Sequence, residues 1–201
     1  AGSDVANYSI LGYDPQRYYT GRGPLEAVSM GVALGPDDVA FRCNLVTESG
    51  GVLLDYSAGH ISTAEAAMLV RVLREKLEDE YTAFYPGIGY RHLLVLKGLK
   101  FLEDRCTPPH DVVGRMIEEV RPRGPNAERI TALMRVSRRL LADHDVNRRR
   151  EEKGLRPANM IWPWGQGRLP ELPAMKDRYG LAGAIITAVD LIKGLGMLAG
   201  M

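Results

Sequence analysis

Gly2-Ser3-Asp4-Val5-Ala6-Asn7-Tyr8-Ser9-Ile10-Leu11-Gly12-Tyr13-Asp14-Pro15, followed by Tyr19-Thr20-Gly21-Arg22-Gly23-Pro24-Leu25-Glu26, is the stretch on which the reading of this chain turns. A small residue, a serine and an acid open an apolar-punctuated segment, the pattern of a strand-to-helix turn. Gly2 allows a tight backbone, Ser3 is presented at the turn, and Asp4 is placed to cap the helix that follows. Backbone N–H groups beside such a serine suit a phosphate. The same three residues also make a plain helix cap. Ser3 is the candidate nucleophile, but a serine hydroxyl is a poor one until a base or a metal activates it. Arg22 stands between two glycines that let backbone approach an anion, where a guanidinium grips a carboxylate or phosphate through two parallel hydrogen bonds. Its plainer reading is an ion pair with Glu26.

Outward from that stretch, Pro24 sits at a first helical position and predicts a short helix to Leu34. Val39, Phe41, Cys43 and Leu45 alternate with Arg42 and Asn44, a strand pattern over Val39 to Val46. Ser49-Gly50-Gly51 is turn chemistry, so Val52 to Tyr56 completes a hairpin. Ser62 and Glu65 have capping-box spacing for a helix reaching about Glu80. Phe84-Tyr85 and Tyr90 to Leu96 are strand material on either side of Pro86-Gly87. Thr107 to Asp111 reads as a stiff loop, and one long helix is expected from Asn126 to Lys153, stopped by Gly154. Met160 to Trp164 and Gly183 to Val189 read as strands and Asp190 to Ala199 as a helix. With no repeating βαβ unit, the fold class is α+β: a mixed or antiparallel sheet with helices packed mainly on one face.

The 201 residues carry 26 basic and 25 acidic side chains, a formal charge of +1. No bulk field argues for nucleic acid or a membrane surface. The most apolar stretch, Leu181 to Met201, is interrupted by Asp190 and Lys193 and does not read as a membrane span. Two cysteines without metal spacing fit a reducing, cytoplasmic location. The run of arginines from Arg121 to Arg150 reads mostly as a solvated helix face.

Several side chains suit an anionic ligand. His60 lies just before a helix N-terminus, and Arg91 enters a strand after two glycines. His110-Asp111, held behind two prolines, is suited to relay a proton. Each also has an ordinary reading: a helix-entry histidine, a strand arginine, a helix cap. The four histidines are scattered and lack carboxylates at ligand spacing, so no metal cluster is visible.

The opening run closely resembles the nucleophile segment of the archaeal-type, 2,3-bisphosphoglycerate-independent phosphoglycerate mutases of the alkaline phosphatase superfamily. FRCNLV (41–46), DYSAGHIST (55–63), FYPGIGYRHLLV (84–95), PPHDVVG (108–114), HDVNRRREEKGLRPANMIWPWGQG (144–167) and YGLAGAIITAVDLIKGLGMLAGM (179–201) resemble the same family in the same order. The resemblance implies that 3-phosphoglycerate and 2-phosphoglycerate interconvert through a phosphoserine at Ser3. It implies a divalent metal, Mn2+ or Mg2+, bound by Ser3 and by ligands outside this chain. It also implies that Arg22, His60, Arg91, His110, Asp111, Arg148 and Lys193 contact substrate, while Trp162 and Trp164 wall the site.

In domain terms, 1–20 is a flank of the phosphatase-like core carrying the nucleophile turn, 21–170 an inserted substrate-binding domain, and 171–201 a return segment. The chain reads as a piece cut from a longer protein, inactive alone, with the missing core as its partner and its end segments loosely attached. Two alternatives are a phosphoglycerate-mutase-like homoserine kinase, which shares the opening run, and a non-catalytic ligand-binding module.

Overall fold

Everything is built around β1, Val39–Ser49, whose ten leading residues are all buried. In the computed structural model, which describes residues 2–99 and 103–201, β1 forms an antiparallel hairpin with β2, Val52–Asp55, through Ser49-Gly50-Gly51. Along its first half β1 pairs with β4, Arg91–Leu96, which pairs in turn with β3, Thr82–Tyr85. Its other edge takes β5, Met160–Gly167. All these pairings are antiparallel, as the α+β reading expects.

The period-two alternation of β1 sorts its side chains onto two faces. Val39, Phe41, Cys43 and Leu45 enter the main core with Phe84, Leu94 and Leu96. That face is covered by α4, Thr63–Leu77, and by α6, Ala127–Leu141, through Leu69, Val70, Leu73, Ile130 and Met134. Ser62 caps α4 in a full capping box with Glu65, matching the sequence reading. The opposite face is not left to solvent. The short helix α3, Gly23–Ser29, lies over it, with Ala27 packed on Ala40, Leu93 and Val95. Arg42 and Asn44 therefore lie buried beneath a second layer.

That layer continues outward. α9, Asp190–Leu198, packs Leu191 and Leu195, with Ala199 just past its end, against Leu25 of α3 and against Tyr8 and Tyr13, which belong to α1, Ser3–Ile10, and the turn after it. A β-carbon on Gly194 would collide with the carbonyl of Leu25, so the approach of α9 to α3 requires glycine there. Tyr13 donates to the carbonyl of Pro173 at 2.7 Å and Tyr179 to that of Gly12 at 2.7 Å. The end segments, expected to be loose, are packed against each other: each supplies the apolar face that the other needs.

Three further expectations are corrected. The predicted helix over 126–153 is two helices, α6 and α7, Asp145–Glu152. The break comes at Ala142-Asp143-His144, where the His144 ring accepts from the Val146 N–H at 3.1 Å and caps the second helix. Fully buried Asn147 then binds the carbonyls of Leu141 and Ala158 and the N–H of Ala158. The predicted strand at Gly183 to Val189 is coil, because a strand exists only against a partner and this run pairs with none among the described residues. Finally, Asp4 does not cap α1. Gly2 holds the cap position, no side chain caps it, and Ser3 is the first helical residue. The remaining α-helices, α2, Pro15–Tyr18, α5, Ile117–Val120, and α8, Met175–Tyr179, are short, and no helix among the described residues is long and apolar enough to cross a membrane.

Candidate functional site

A cleft of about 730 Å³ opens where the two layers meet. Its walls are Gly2–Val5 at the start of α1, Tyr19–Arg22 leading into α3, the 104–111 loop, and Trp164–Gln166 at the end of β5. Ser3, Arg22, His110 and Asp111 therefore come together although up to 108 positions separate them (111 − 3).

Ser3 is exposed at the N-terminus of α1, where the unpaired amides and the helix dipole favour an anion. Beside it, Asp4 accepts the Val5 N–H at 3.0 Å and the hydroxyl hydrogen bond of Tyr19. Burial, and then that bond to Asp4, raise the Tyr19 phenol above its ordinary range, so it stays a donor. The Cys106 thiol, also on the wall, is pushed up to about 12 by burial and by Asp104. It remains protonated at neutral pH.

Arg22 is positioned by the glycines on either side, though not for the reason the sequence suggests. Gly21 has φ +149°, and a β-carbon on it would strike the carbonyl of Gln166; one on Gly23 would strike that of Ala40. The glycines let the chain press against β5 and β1 rather than against a ligand. Arg22 then donates Nε to Glu26 at 2.7 Å and lies 5.3 Å from the ring centre of Trp164. The ion pair with Glu26 and a place on the cleft wall thus coexist.

Glu26, 3% exposed, also accepts from Arg42, 4% exposed. Burial lowers the Arg42 guanidinium from its ordinary value; Arg22 and Arg91 add to this and Glu26 opposes it. One carboxylate therefore answers two guanidiniums, with a third nearby, which leaves this face positive. Asn44 locks the group, accepting from Arg42 at 3.2 Å and from the Trp164 indole at 3.1 Å. Arg42 and Asn44 escaped the sequence reading as site residues, and Glu26 entered it only as the partner of Arg22. Alternation put two of them on the polar face of a strand, and only α3 turns that face into a buried charge network.

Arg91 stands opposite Asn44 in the β1–β4 pairing, its Nε buried without a hydrogen-bond partner. It does not line the cleft. Neither does His60, but a row of edge-to-face rings connects it: His60 to Tyr90 at 6.1 Å, Tyr90 to Tyr56 at 5.9 Å, Tyr56 to His110 at 6.0 Å and His110 to Trp164 at 5.3 Å. Arg148 and Lys193 lie elsewhere. Arg148 is exposed on α7, bound to Asp145 and to the Asp143 carbonyl, and Lys193 is exposed on α9.

His92, beside Arg91, points into the main core and is 3% exposed. Burial, then the charge of Arg42, pushes its imidazole down to about 3. It is a neutral core residue that accepts the Gly87 N–H at 3.0 Å.

Among the described residues, no group of three or more His, Cys, Asp or Glu could hold a metal ion. Asp4 is engaged by Tyr19, and Asp104 accepts both the backbone and side-chain N–H of Asn126. These side chains do not make a metal site by themselves.

A family model described as 2,3-bisphosphoglycerate-independent phosphoglycerate mutase matches residues 1–147. The protein of that name from Methanosarcina barkeri is 56% identical over 201 residues, covering all of this chain and 50% of its own length. The probable mutase of the same name from Geobacter sulfurreducens is 50% identical over 204 residues, again 100% of this chain and 51% of the relative. Among solved structures, the cofactor-independent phosphoglycerate mutase from Thermoplasma acidophilum superposes with a TM-score of 0.66 at 30% identity, over 100% of this chain and 56% of that one. The PH0037 protein from Pyrococcus horikoshii gives 0.69 at 25% identity, over 100% and 46%. The chain spans about half the length of the curated relatives it matches.

Proposed function

We propose, from the premise that this chain belongs to the 2,3-bisphosphoglycerate-independent phosphoglycerate mutase family, that it is the half of such an isomerase that presents the phosphoryl-accepting serine and clamps the glycerate. The whole protein interconverts 3-phosphoglycerate and 2-phosphoglycerate, a glycolytic reaction. The observation that carries this reading is Ser3 at an uncapped helix N-terminus, in one cleft with Arg22, His110 and Asp111.

In this reading the Ser3 hydroxyl oxygen attacks phosphorus and gives up its proton to a base. The bond from phosphorus to the 3-oxygen of glycerate breaks, and that oxygen takes a proton. The second half reverses the sequence at the 2-oxygen and frees Ser3. Arg22, with the positive face behind it, holds the carboxylate or the transferred phosphoryl group. His110, 3.7 Å from Asp111 and half exposed, moves protons between the two hydroxyls. His60 at the far end of the ring row, and Arg91, whose guanidinium lies 5.8 Å from the Tyr90 ring centre, extend the clamp. Arg148 and Lys193 do not line this cleft, so any contact they make with substrate is made in the longer protein.

A divalent ion, Mn2+ or Mg2+, supplies charge neutralisation at the phosphoryl group when bound. Ser3 would be a ligand from this chain, with the others supplied by the remaining half of the longer protein. The partner of the chain is accordingly that second half. A cytoplasmic location fits the two unpaired cysteines.

The test is Ser3→Ala in the full-length protein, followed by a coupled assay of 2-phosphoglycerate formation. The expected loss is about a thousandfold or more in kcat, roughly 4 kcal/mol of transition-state stabilisation, together with disappearance of acid-stable phosphate from the protein. Turnover within tenfold of the wild type overturns the assignment.

A further inference from the structure

Ala58, Gly59 and His60 occupy the left-handed region in succession, with φ of 49°, 60° and 50°. Two of the three carry a β-carbon, for which that region is unfavourable, and such strain persists only where the surroundings over-determine it. Two groups do so here. From the β2 side, the Asp55 carboxylate accepts the Ser57 N–H and hydroxyl, each at 2.7 Å, and the Gly59 N–H at 2.9 Å. Burial works against that charge, but these bonds and Arg156 hold the carboxyl below its ordinary range.

From the other side comes Arg150. It is 3% exposed and donates to the Ala58 carbonyl at 2.8 Å, the Arg156 carbonyl at 2.9 Å and Glu65 at 2.9 Å. Glu65 is the capping-box residue of α4, so the guanidinium ties the loop to two helices at once. The residue delivered by this scaffold is His60. Its side chain is exposed and takes no part in the core, yet its ring begins the edge-to-face row that ends at His110 and Trp164 in the cleft. A strained loop held at both ends to present an exposed imidazole has the build of a preorganised ligand contact.

We propose that Arg150 is a positioning residue: it holds the Ala58–His60 loop in its left-handed form so that His60 meets the phosphoglycerate. The inference rests on the functional reading above and adds to it a residue that the arginine-rich sequence hides among solvated neighbours. Lysine at 150 keeps the charge but lacks the planar fork that reaches three acceptors.

The experiment is a double-mutant cycle in the full-length protein. Arg150→Lys raises KM for 3-phosphoglycerate about tenfold with kcat within twofold, the pattern of lost uniform binding. His60→Ala raises KM by a similar factor, and adding Arg150→Lys to it raises KM no further. Ala58→Gly, which removes the strained β-carbon, recovers at least half of the loss caused by Arg150→Lys. If Arg150→Lys fails to fold, Glu65→Gln slackens the same guanidinium through its partner and completes the cycle. Equal effects of Arg150→Lys in both backgrounds, or a folded Arg150→Lys protein with wild-type KM, overturn the proposal. If that happens while Ser3→Ala still abolishes turnover, only the positioning role falls. If Ser3→Ala retains turnover, the functional reading falls and this inference with it.

Discussion

The body around β1 and the layer built from the two chain ends bury their apolar side chains in different ways. In the body, each face of the sheet meets a helix, and both edges of β1 are hydrogen-bonded. In the layer, Tyr8, Tyr13, Leu191 and Leu195 are buried against one another, while Ile10 is 77% exposed, Leu181 58% and Ile186 fully exposed. A sheet strand gains partners along its length, whereas two short helices and a coil cover each other on one side only. The cleft runs along the seam between them, with Ser3 from the layer facing His110 from the body.

Truncations on the two sides should separate them most sharply. Leu69→Ala in the body and Leu195→Ala in the layer both remove fully buried leucines, each costing about 2–5 kcal/mol locally. Hydrogen exchange on the 201-residue chain reads where the cost falls. Leu69→Ala should lower protection at Phe41 and at Tyr8 alike. Leu195→Ala should lower it at Tyr8 and leave Phe41 unchanged. Equal loss at Phe41 from both would mean that body and layer are one cooperative unit.

Acid should act through the body. The His92 imidazole is pushed down to about 3 by burial and by Arg42, from an ordinary value of 6.5. The unfolded chain takes up its proton near 6.5, and the folded chain does not until about 3. The contribution of this group is therefore fully present above the higher value and is lost as pH falls through the window, by about 1.4 kcal/mol per pH unit. Denaturant titrations between these limits should show that slope, and His92→Gln should flatten it. An unchanged slope in the variant would place the acid sensitivity elsewhere. The layer has no histidine to contribute, since His60, His92, His110 and His144 all lie between the end segments.

The smallest effect concerns helix starts. α4 in the body has a capping box and α1 in the layer has no side-chain cap. Ser62→Ala should cost about 1 kcal/mol by thermal unfolding. A change below a few tenths would show that tertiary packing alone holds the start of α4.

Local chemistry was read well where it is local. The hairpin through Gly50-Gly51, the alternation of β1, the capping box at Ser62 and the helix from Asp190 all depend on neighbours a few residues away. The opening run marked Ser3 and Arg22, and PPHDVVG marked His110 and Asp111. The failures share a cause. Asn126 to Lys153 has helical periodicity throughout, and what divides it is Asn147 binding Ala158 after the chain has turned back. Gly183 to Val189 has strand composition but no edge to join. Gly21 and Gly23 were read as room for an anion, whereas their space is filled by the backbones of β5 and β1. Arg150 sits in a run of three arginines whose members differ only in which way α7 turns them.

The order of residues alone therefore determined most of the elements, the hydrophobic face of the sheet and the family, because propensity, periodicity and motif spacing are written within short windows. Tertiary structure decided which charges are buried, which arginine clamps a loop and which leaves it for solvent, and that Ser3 and His110 share one cleft. Those are meetings of segments up to about a hundred positions apart. Their energy comes from desolvation and hydrogen bonding that exist only once both sides are in place.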